Sequence, residues 1–226
     1  DQQGFMWFGT RNGLCRFDGY EIEVFRNTSD TTSISGNRIL SMAEDKSGYL
    51  WIGTYQNGLN KFDKQKNSFT HYGSELEIGN QIYCITVLED STVCIGSSNG
   101  LALYHPRTDS FSIYNPFTGE GLNSFLVSDV LETSDGKIYI ATWEKDIQRF
   151  DRKENKFISI SYNPQNRQVS NYRKRLLDDS GGNIWISANI HGLCRYNRET
   201  GESTFYYKDE EGLNTGVSYK INGMDI

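Results

Sequence analysis

Proline, cysteine and histidine are scarce in this sequence, whose 226 residues include three prolines, four cysteines and three histidines. The cysteines form no C-x-x-C pair and are too few for a disulfide scaffold, so we expect four buried free thiols. No run approaches the ~20 consecutive apolar residues that a membrane-spanning helix requires. Basic residues (23) are fewer than acidic ones (29), and a net charge of −6 lacks the basic footprint of a nucleic-acid-binding protein.

Aromatic residues and glycines are abundant instead. Aromatic side chains make up 13% of the sequence, and glycine occurs 22 times. Aromatic residues favour strands, and glycine favours the tight turns between them. The composition therefore favours a fold of short strands over one of helices.

A sequence pattern recurs five times at intervals of 44, 43, 45 and 46 residues. Its best copy is Trp-Ile-Gly-Thr, then Gly-Leu, then an aromatic residue three positions further on. The first residues of the five copies are Trp7, Trp51, Cys94, Tyr139 and Trp185. The aromatic residues are Phe17, Phe62, Tyr104, Phe150 and Tyr196. A second aromatic column is predicted at Phe25, Phe69, Phe111, Phe157 and Phe205.

Each copy predicts four short strands. Asn57-Gly58 is a hairpin signal, because a type I′ turn needs positive φ at both central positions. Four strands in ~45 residues are typical of a β-propeller blade, and no window shows the apolar period of a helix. We predict an all-β fold, a single β-propeller of four-stranded blades over residues 1–226. Its repeat units are 1–36, 37–79, 80–122, 123–170 and 171–213, with the first strand of the next unit at 214–226.

Both ends of the chain fall within a repeat. Residues 1–7 align with residues 45–51, so the chain starts in the turn between the first and second strands of a blade. Residues 219–222 align with a first strand. Either that strand pairs with the first blade and closes a five-bladed ring, or the chain is part of a larger propeller. We favour the second interpretation, because a natural N-terminus is not expected within a hairpin.

The residues that define the repeat are expected to be structural. Large side chains in the second strand fill the space between blades, so packing is favoured over sugar stacking for Trp7, Trp51 and Trp185. The small residue Gly53 lets neighbouring sheets approach closely. Asp45 and Asp179 are expected to bond the backbone of their own turns. Calcium binding is the alternative, but the dense oxygen-ligand spacing of a calcium loop is missing.

No catalytic residue, metal or cofactor is predicted. A glycosidase needs two carboxylates at a fixed separation, but the acidic pairs here lie in the repeated turn. These turns resemble the Asp boxes of sialidase propellers only loosely, since Ala43 stands where the box has serine. The histidines are scattered over different loops and strand ends, which argues against a metal or triad site. No phosphate-binding motif is present.

A ligand site is expected where residues depart from the repeat. In a propeller, the loops between strands two and three share one face with the connections that lead from strand four to the next blade. Trp143 is the strongest candidate, because it follows the packing column and an aromatic face beside hydrogen-bonding groups suits carbohydrate. The candidate ligand-binding residues are Arg11, Tyr55, Gln56, Trp143, Lys145, Tyr172, Arg173 and His191.

Residues 44–63 resemble the two-component regulator propeller repeat, roughly D-x-x-G-x-(L/I)-W-I-G-T followed by G-L-x-x-(F/Y)-D. Residues 4–18 and 178–197 match nearly as well. The third and fourth copies depart, with Cys94 and Tyr139 in place of tryptophan. The resemblance covers the whole chain.

This resemblance implies the periplasmic sensor domain of a Bacteroidetes hybrid two-component histidine kinase, in which seven-bladed propellers precede a membrane helix and a kinase. It implies an oligosaccharide ligand, regulation of glycan utilisation and a homodimeric receptor. This chain would contact the remainder of the sensor kinase and no nucleic acid. Two other functions stay open: a propeller that binds a protein and no small ligand, and, less favoured, a propeller glycosidase of the sialidase kind.

Overall fold

The computed structural model describes residues 1–73, 76–143, 145–162, 173–187 and 193–206, with the side chain of Phe205 left aside. Strands and turns fill these ranges, and they contain no α-helix. Accordingly, they include no helix long and apolar enough to cross a membrane. The chain divides into two compact units, Asp1–Tyr114 and Asn115–Ile226.

The first unit contains three antiparallel sheets in which strands that follow one another in sequence are neighbours. The first sheet consists of β1 (Met6–Thr10), β2 (Gly13–Phe17) and β3 (Ile22–Phe25). The second consists of β4 (Ile39–Glu44), β5 (Leu50–Thr54), β6 (Leu59–Asp63) and β7 (Ser68–Tyr72). The third consists of β8 (Ile82–Val87), β9 (Val93–Ser97), β10 (Gly100–His105) and β11 (Ser110–Tyr114).

The second unit contains two antiparallel sheets of four strands with the same order. The fourth sheet of the chain consists of β12 (Val127–Glu132), β13 (Ile138–Thr142), β14 (Ile147–Asp151) and β15 (Lys156–Ile160). The fifth consists of β16 (Arg175–Asp178), β17 (Asn183–Ser187), β18 (Leu193–Asn197) and β19 (Ser203–Tyr206). The predicted all-β fold of four-stranded units is confirmed. The single domain over residues 1–226 stays a prediction.

The strand register corrects the second aromatic column. Phe69 pairs with Phe62 across β6 and β7, and the third and fourth sheets repeat this pair. In the first sheet, however, Phe17 pairs with Ile22, and Phe25 lies three positions further on. In the fifth sheet, Ser203 takes the paired position, and Phe205 pairs with Cys194. The prediction was wrong for Phe25 because only four residues separate Phe17 from its partner Ile22, against six between Phe62 and Phe69. It was wrong for Phe205 because serine stands at the paired position of β19.

Apolar side chains between neighbouring sheets form the core of each unit. In the first unit one cluster joins the first and second sheets around Leu14, Ile52 and Phe62. Another joins the second and third sheets around Trp51 and Ile95. The core of the second unit is built around Tyr139, Ile147, Leu176, Ile186 and Cys194.

Glycine is required where the sheets of the first unit approach most closely. A Cβ atom on Gly53 would lie 2.5 Å from Cγ2 of Ile82, and one on Gly9 would lie 2.7 Å from Cγ2 of Ile39. Both positions belong to the third column of the Trp-Ile-Gly-Thr motif. Their small size therefore follows from sheet packing.

Candidate functional site

The aspartate and tryptophan of the repeat are linked by a hydrogen bond six residues apart. Asp45 Oδ1 accepts the backbone N–H groups of Ser47 (2.9 Å) and Tyr49 (3.0 Å), while Oδ2 accepts Nε1–H of Trp51 (2.8 Å). Asp1 and Asp179 bond their own turns and the indoles of Trp7 and Trp185 in the same way, at 2.7 and 3.3 Å. One carboxylate thus closes the turn and orients the indole. The aspartate and the tryptophan of the repeat therefore have a structural role in their sheet.

A buried cation joins neighbouring sheets at the same end of the repeat. Lys64 Nζ bonds Glu44 at the end of β4, and also Asp1 in the preceding turn (3.1 Å). In the second unit, Arg198 bonds Asp178 at the end of β16 (3.3 Å) and Asp135 in the preceding turn. The separations along the chain are 20 and 63 residues in both units. The acids at the ends of the first strands therefore belong to an inter-sheet ion cluster.

This ion cluster was not predicted from the sequence. The side chains of Lys64 and Arg198 are 5% and 7% exposed, and neither residue was selected from the sequence. The available signal was their position, since each stands two residues after the aromatic residue of the repeat, Phe62 or Tyr196. This shared position indicates an ion cluster only when the acidic partners, 20 and 63 residues earlier, are known.

In the first unit, the candidate ligand residues lie on the β1–β2 and β5–β6 connections. Arg11 and Gln56 are exposed, and Tyr55 is half-buried. The guanidinium carbon of Arg38 lies 3.9 Å from the centroid of the Tyr55 ring, a cation–π distance. The backbone N–H of Tyr55 donates to the carbonyl of Arg38 (2.9 Å). One face of the Tyr55 ring is therefore covered by a guanidinium that itself offers donors to an anion or a hydroxyl group.

In the second unit, the candidates lie at the β13–β14 connection and before β16. Trp143 and Arg173 are half-buried, and Lys145 is exposed. The backbone N–H of Trp143 donates to the carbonyl of Leu126 (3.0 Å), as that of Tyr55 does to Arg38 in the first unit. Trp143 and Tyr55 thus hold the same position of their sheets. The remaining candidates, Tyr172 and His191, lie outside the described residues.

A buried lysine that sequence reasoning did not select holds the β13–β14 connection. Lys174 is 1% exposed, and its Nζ donates to the backbone carbonyls of Thr142 (2.7 Å), Trp143 (2.9 Å) and Lys145 (3.0 Å). Burial lowers the pKa of Lys174 to about 8, although the negative charge of Asp146 opposes this shift. Burial also raises the pKa of Asp146. This role was not recognisable from the sequence, because Lys174 follows Arg173 in a polar segment.

The arrangement can bind but offers little for catalysis. Aromatic rings with adjacent cationic and amide donors can contact a sugar ring and its hydroxyl or carboxylate groups. Among the described residues, no group of three histidine, cysteine, aspartate or glutamate side chains is placed to hold a metal ion. The carboxylates Glu44, Asp45, Asp178 and Asp179 have the turn and inter-sheet partners given above.

Comparison with known proteins places the repeat in context. Residues 33–56 match the family model described as "Two component regulator propeller". The chain is 34% identical over 214 residues to Histidine kinase P4 of Formosa agariphila. This alignment covers 89% of the chain and 15% of that kinase. The chain therefore spans a small part of the relative it matches.

Solved structures with the same fold include extracellular domains from Bacteroides. The extracellular domain of a hybrid two component system from B. thetaiotaomicron is 27% identical to the chain, with a TM-score of 0.76 over 90% of the chain and 28% of that structure. A second such domain from the same organism is 23% identical, with a TM-score of 0.73 over 92% of the chain and 30% of that structure, and shows the fold alone. The WD40 β-propeller of Doa1, at 16% identity and a TM-score of 0.64, likewise shows the fold. The predicted propeller fold is confirmed.

Proposed function

Because this chain carries two-component regulator propeller repeats, as its sequence predicted, we propose that it is the ligand-sensing part of a hybrid two-component sensor. Its place would be outside the cytoplasm, in the periplasm, since the structures it resembles are extracellular domains. A sensor role assigns no catalysis to this chain. The remainder of the sensor chain would be its partner in signalling, and a homodimer is the expected form of the complete receptor.

We further propose an oligosaccharide as the ligand, on the basis of the aromatic residues that occupy one loop position in two sheets. Tyr55 and Trp143 follow the strands that carry the packing column, and each is fixed by the same backbone hydrogen bond. The third sheet has Ser98 at this position, with the same bond to Gln81. A position whose backbone is constant while its side chain varies is suited to recognition, because the fold does not dictate the residue.

The chemistry beside each aromatic residue supports an acidic glycan. In the first unit, Gln56 follows Tyr55 and is exposed, and Arg11 is exposed at the position of the β1–β2 connection equivalent to that of Tyr55. In the second unit, Lys145 is exposed on the connection that bears Trp143. Cationic and amide donors bind carboxylate or sulfate groups and hydroxyl groups, while the ring contacts the apolar face of a sugar.

Calorimetry on the complete sensor domain tests this proposal. The probes are a uronic-acid oligosaccharide, a sulfated one and a neutral one of equal length. We expect binding of an acidic probe and an affinity about tenfold weaker in Trp143→Ala, which corresponds to the loss of one stacking contact. Phe117→Ala is the matched control, because Phe117 is 86% exposed on a turn outside these loops. Equal affinities in the two variants would reject Trp143, and binding of none of the probes would favour a protein ligand.

A further inference from the structure

In the three sheets of the first unit, the β1–β2, β5–β6 and β9–β10 loops are closed by the same kind of hydroxyl hydrogen bond. The last residue of β1, β5 and β9 donates its hydroxyl to the carbonyl of the glycine that opens or precedes the following strand. The pairs are Thr10 with Gly13 (2.8 Å), Thr54 with Gly58 (2.8 Å) and Ser97 with Gly100 (3.1 Å). The same hydroxyl oxygens accept backbone N–H groups of Asn12 (2.9 Å), Asn57 (3.0 Å) and Asn99 (3.0 Å). These loops are therefore fixed by their own residues.

In the β13–β14 connection, the described residues show different bonds. Asp146 replaces the glycine of the repeat, and the Thr142 hydroxyl donates to Asn123 Oδ1 at 3.5 Å, which is at the limit of a hydrogen bond. The carbonyls of this connection are bonded from outside, by the Lys174 ammonium of the fifth sheet. A lysine from the start of the neighbouring sheet thus bonds the backbone of this connection.

We propose that Lys174 is a positioning residue for the ligand loop: its ammonium fixes the backbone on both sides of Trp143 and so sets the orientation in which Trp143 meets the ligand. The proposal rests on the proposed function for the role of Trp143. The fixing of the loop by Lys174 can be measured without any ligand.

The surroundings of Lys174 support a specific rather than a general packing role. The residue precedes Arg175, which pairs with Ser187. In the second, third and fourth sheets the corresponding residues are Leu40, Tyr83 and Ser128, so the repeat itself does not require a cation here. Burying an ammonium is unfavourable unless its donors are satisfied. Three loop carbonyls satisfy them, and the lowered pKa of Lys174 agrees with a net desolvation penalty.

The experiment measures backbone hydrogen exchange in the complete sensor domain and in Lys174→Met, Lys174→Arg and Lys153→Met. Methionine keeps the apolar part of the side chain and removes the ammonium donors, whereas arginine keeps the charge. Lys153 is an exposed lysine on the β14–β15 turn of the fourth sheet and serves as the control. The amide of Tyr55, bonded as that of Trp143 is, serves as the internal reference.

We expect the Trp143 amide to exchange about tenfold faster in Lys174→Met, while Tyr55 and the amides inside β13 and β14 change by less than about twofold. Lys174→Arg should restore most of the protection, and Lys153→Met should match the parent. Unchanged exchange at Trp143, or an equal increase throughout the second unit, would overturn the proposal, because the lysine would then be redundant or merely part of the core.

A labelling experiment on the unaltered protein covers the case in which Lys174→Met does not fold. Acetylation by an N-hydroxysuccinimide ester should modify Lys174 roughly tenfold more slowly than Lys153 in the native state, and equally fast in urea. Equal native rates would overturn the proposal. If no oligosaccharide binds but the Trp143 amide loosens in Lys174→Met, the ligand proposal fails and the fixing of the loop stands.

Discussion

Replacing Trp51 with alanine removes the side chain that most completely joins two sheets of the first unit. Trp51 is fully buried. Its ring centroid lies 5.7 Å from that of Tyr72 in its own sheet and 4.7 Å from that of Tyr104 in the next sheet. Its indole N–H donates to Asp45. The substitution therefore opens a void between sheets and also leaves one carboxylate oxygen of the turn without this donor.

The magnitude follows from the buried area and the lost hydrogen bond. A buried tryptophan removes about 150–250 Å² from water, which at about 25 cal/mol per Å² corresponds to roughly 4–6 kcal/mol. Aromatic-to-alanine substitutions in cores cost about 3–5 kcal/mol, so we expect about 4 kcal/mol for Trp51→Ala. Trp51→Phe keeps a ring but loses the N–H, and we expect about 2 kcal/mol.

Urea unfolding followed by circular dichroism measures both free energies. A double-mutant cycle with Asp45→Ala and Trp51→Phe isolates the turn–indole bond, for which we expect a coupling of about 1 kcal/mol. Trp185→Ala is the matched comparison, since Trp185 is only partly buried and should cost less than Trp51→Ala. A cost below about 1.5 kcal/mol for Trp51→Ala would refute the packing argument, and a zero coupling would refute the link between the aspartate and the indole.

Two further predictions concern the ion cluster and the thiols. Arg198→Met should lower the free energy of unfolding by about 3 kcal/mol, because it leaves the nearly buried Asp178 without its cation. Lys66→Met removes only a surface ion pair and should lower it by under about 0.5 kcal/mol. Equal losses in urea unfolding would contradict the inter-sheet role of Arg198. None of the four cysteines forms a disulfide, and Cys15 is the one that is partly exposed. Iodoacetamide should therefore label Cys15 first, while Cys194, whose pKa burial raises to about 12, should react only in urea; two labels in urea, counted by mass spectrometry without reduction, would indicate a disulfide.

Most of the fold could be predicted because each cause lies close to its effect along the chain. Asp45, its turn and Trp51 are within seven residues, so one short motif contains the turn, the strand and the packing residue. The fourth strand was the exception. In the first sheet the paired residues of the last two strands are two positions closer along the chain, and a periodic pattern does not detect this change, so Phe25 was assigned to the wrong position.

Less of the candidate site could be predicted. The loops were identified, and the structure places Tyr55 and Trp143 at one equivalent position. The sequence did not reveal that Arg38 covers the ring of Tyr55 or that Lys174 fixes the backbone at Trp143. Both contacts depend on which face of the sheet a side chain takes at the start of the first strand of a repeat. In the second sheet the register is irregular there, between Ile39 and Ser41, so the side chains do not simply alternate between faces.

Lys174 and Arg198, which were not selected from the sequence, share one property, which is that each has partners in the preceding sheet. Lys174 bonds carbonyls 29 to 32 residues earlier, and Arg198 bonds an acid 63 residues earlier. Aligning the five copies of the repeat reveals the contacts within one sheet. A contact between sheets joins different columns of that alignment in neighbouring copies, so the alignment does not show it. Such pairs can vary from one interface to the next without disturbing the motif. Individual loops can therefore be fixed in different ways on sheets that share one core, and the loop at Trp143 is held by the sheet that follows it.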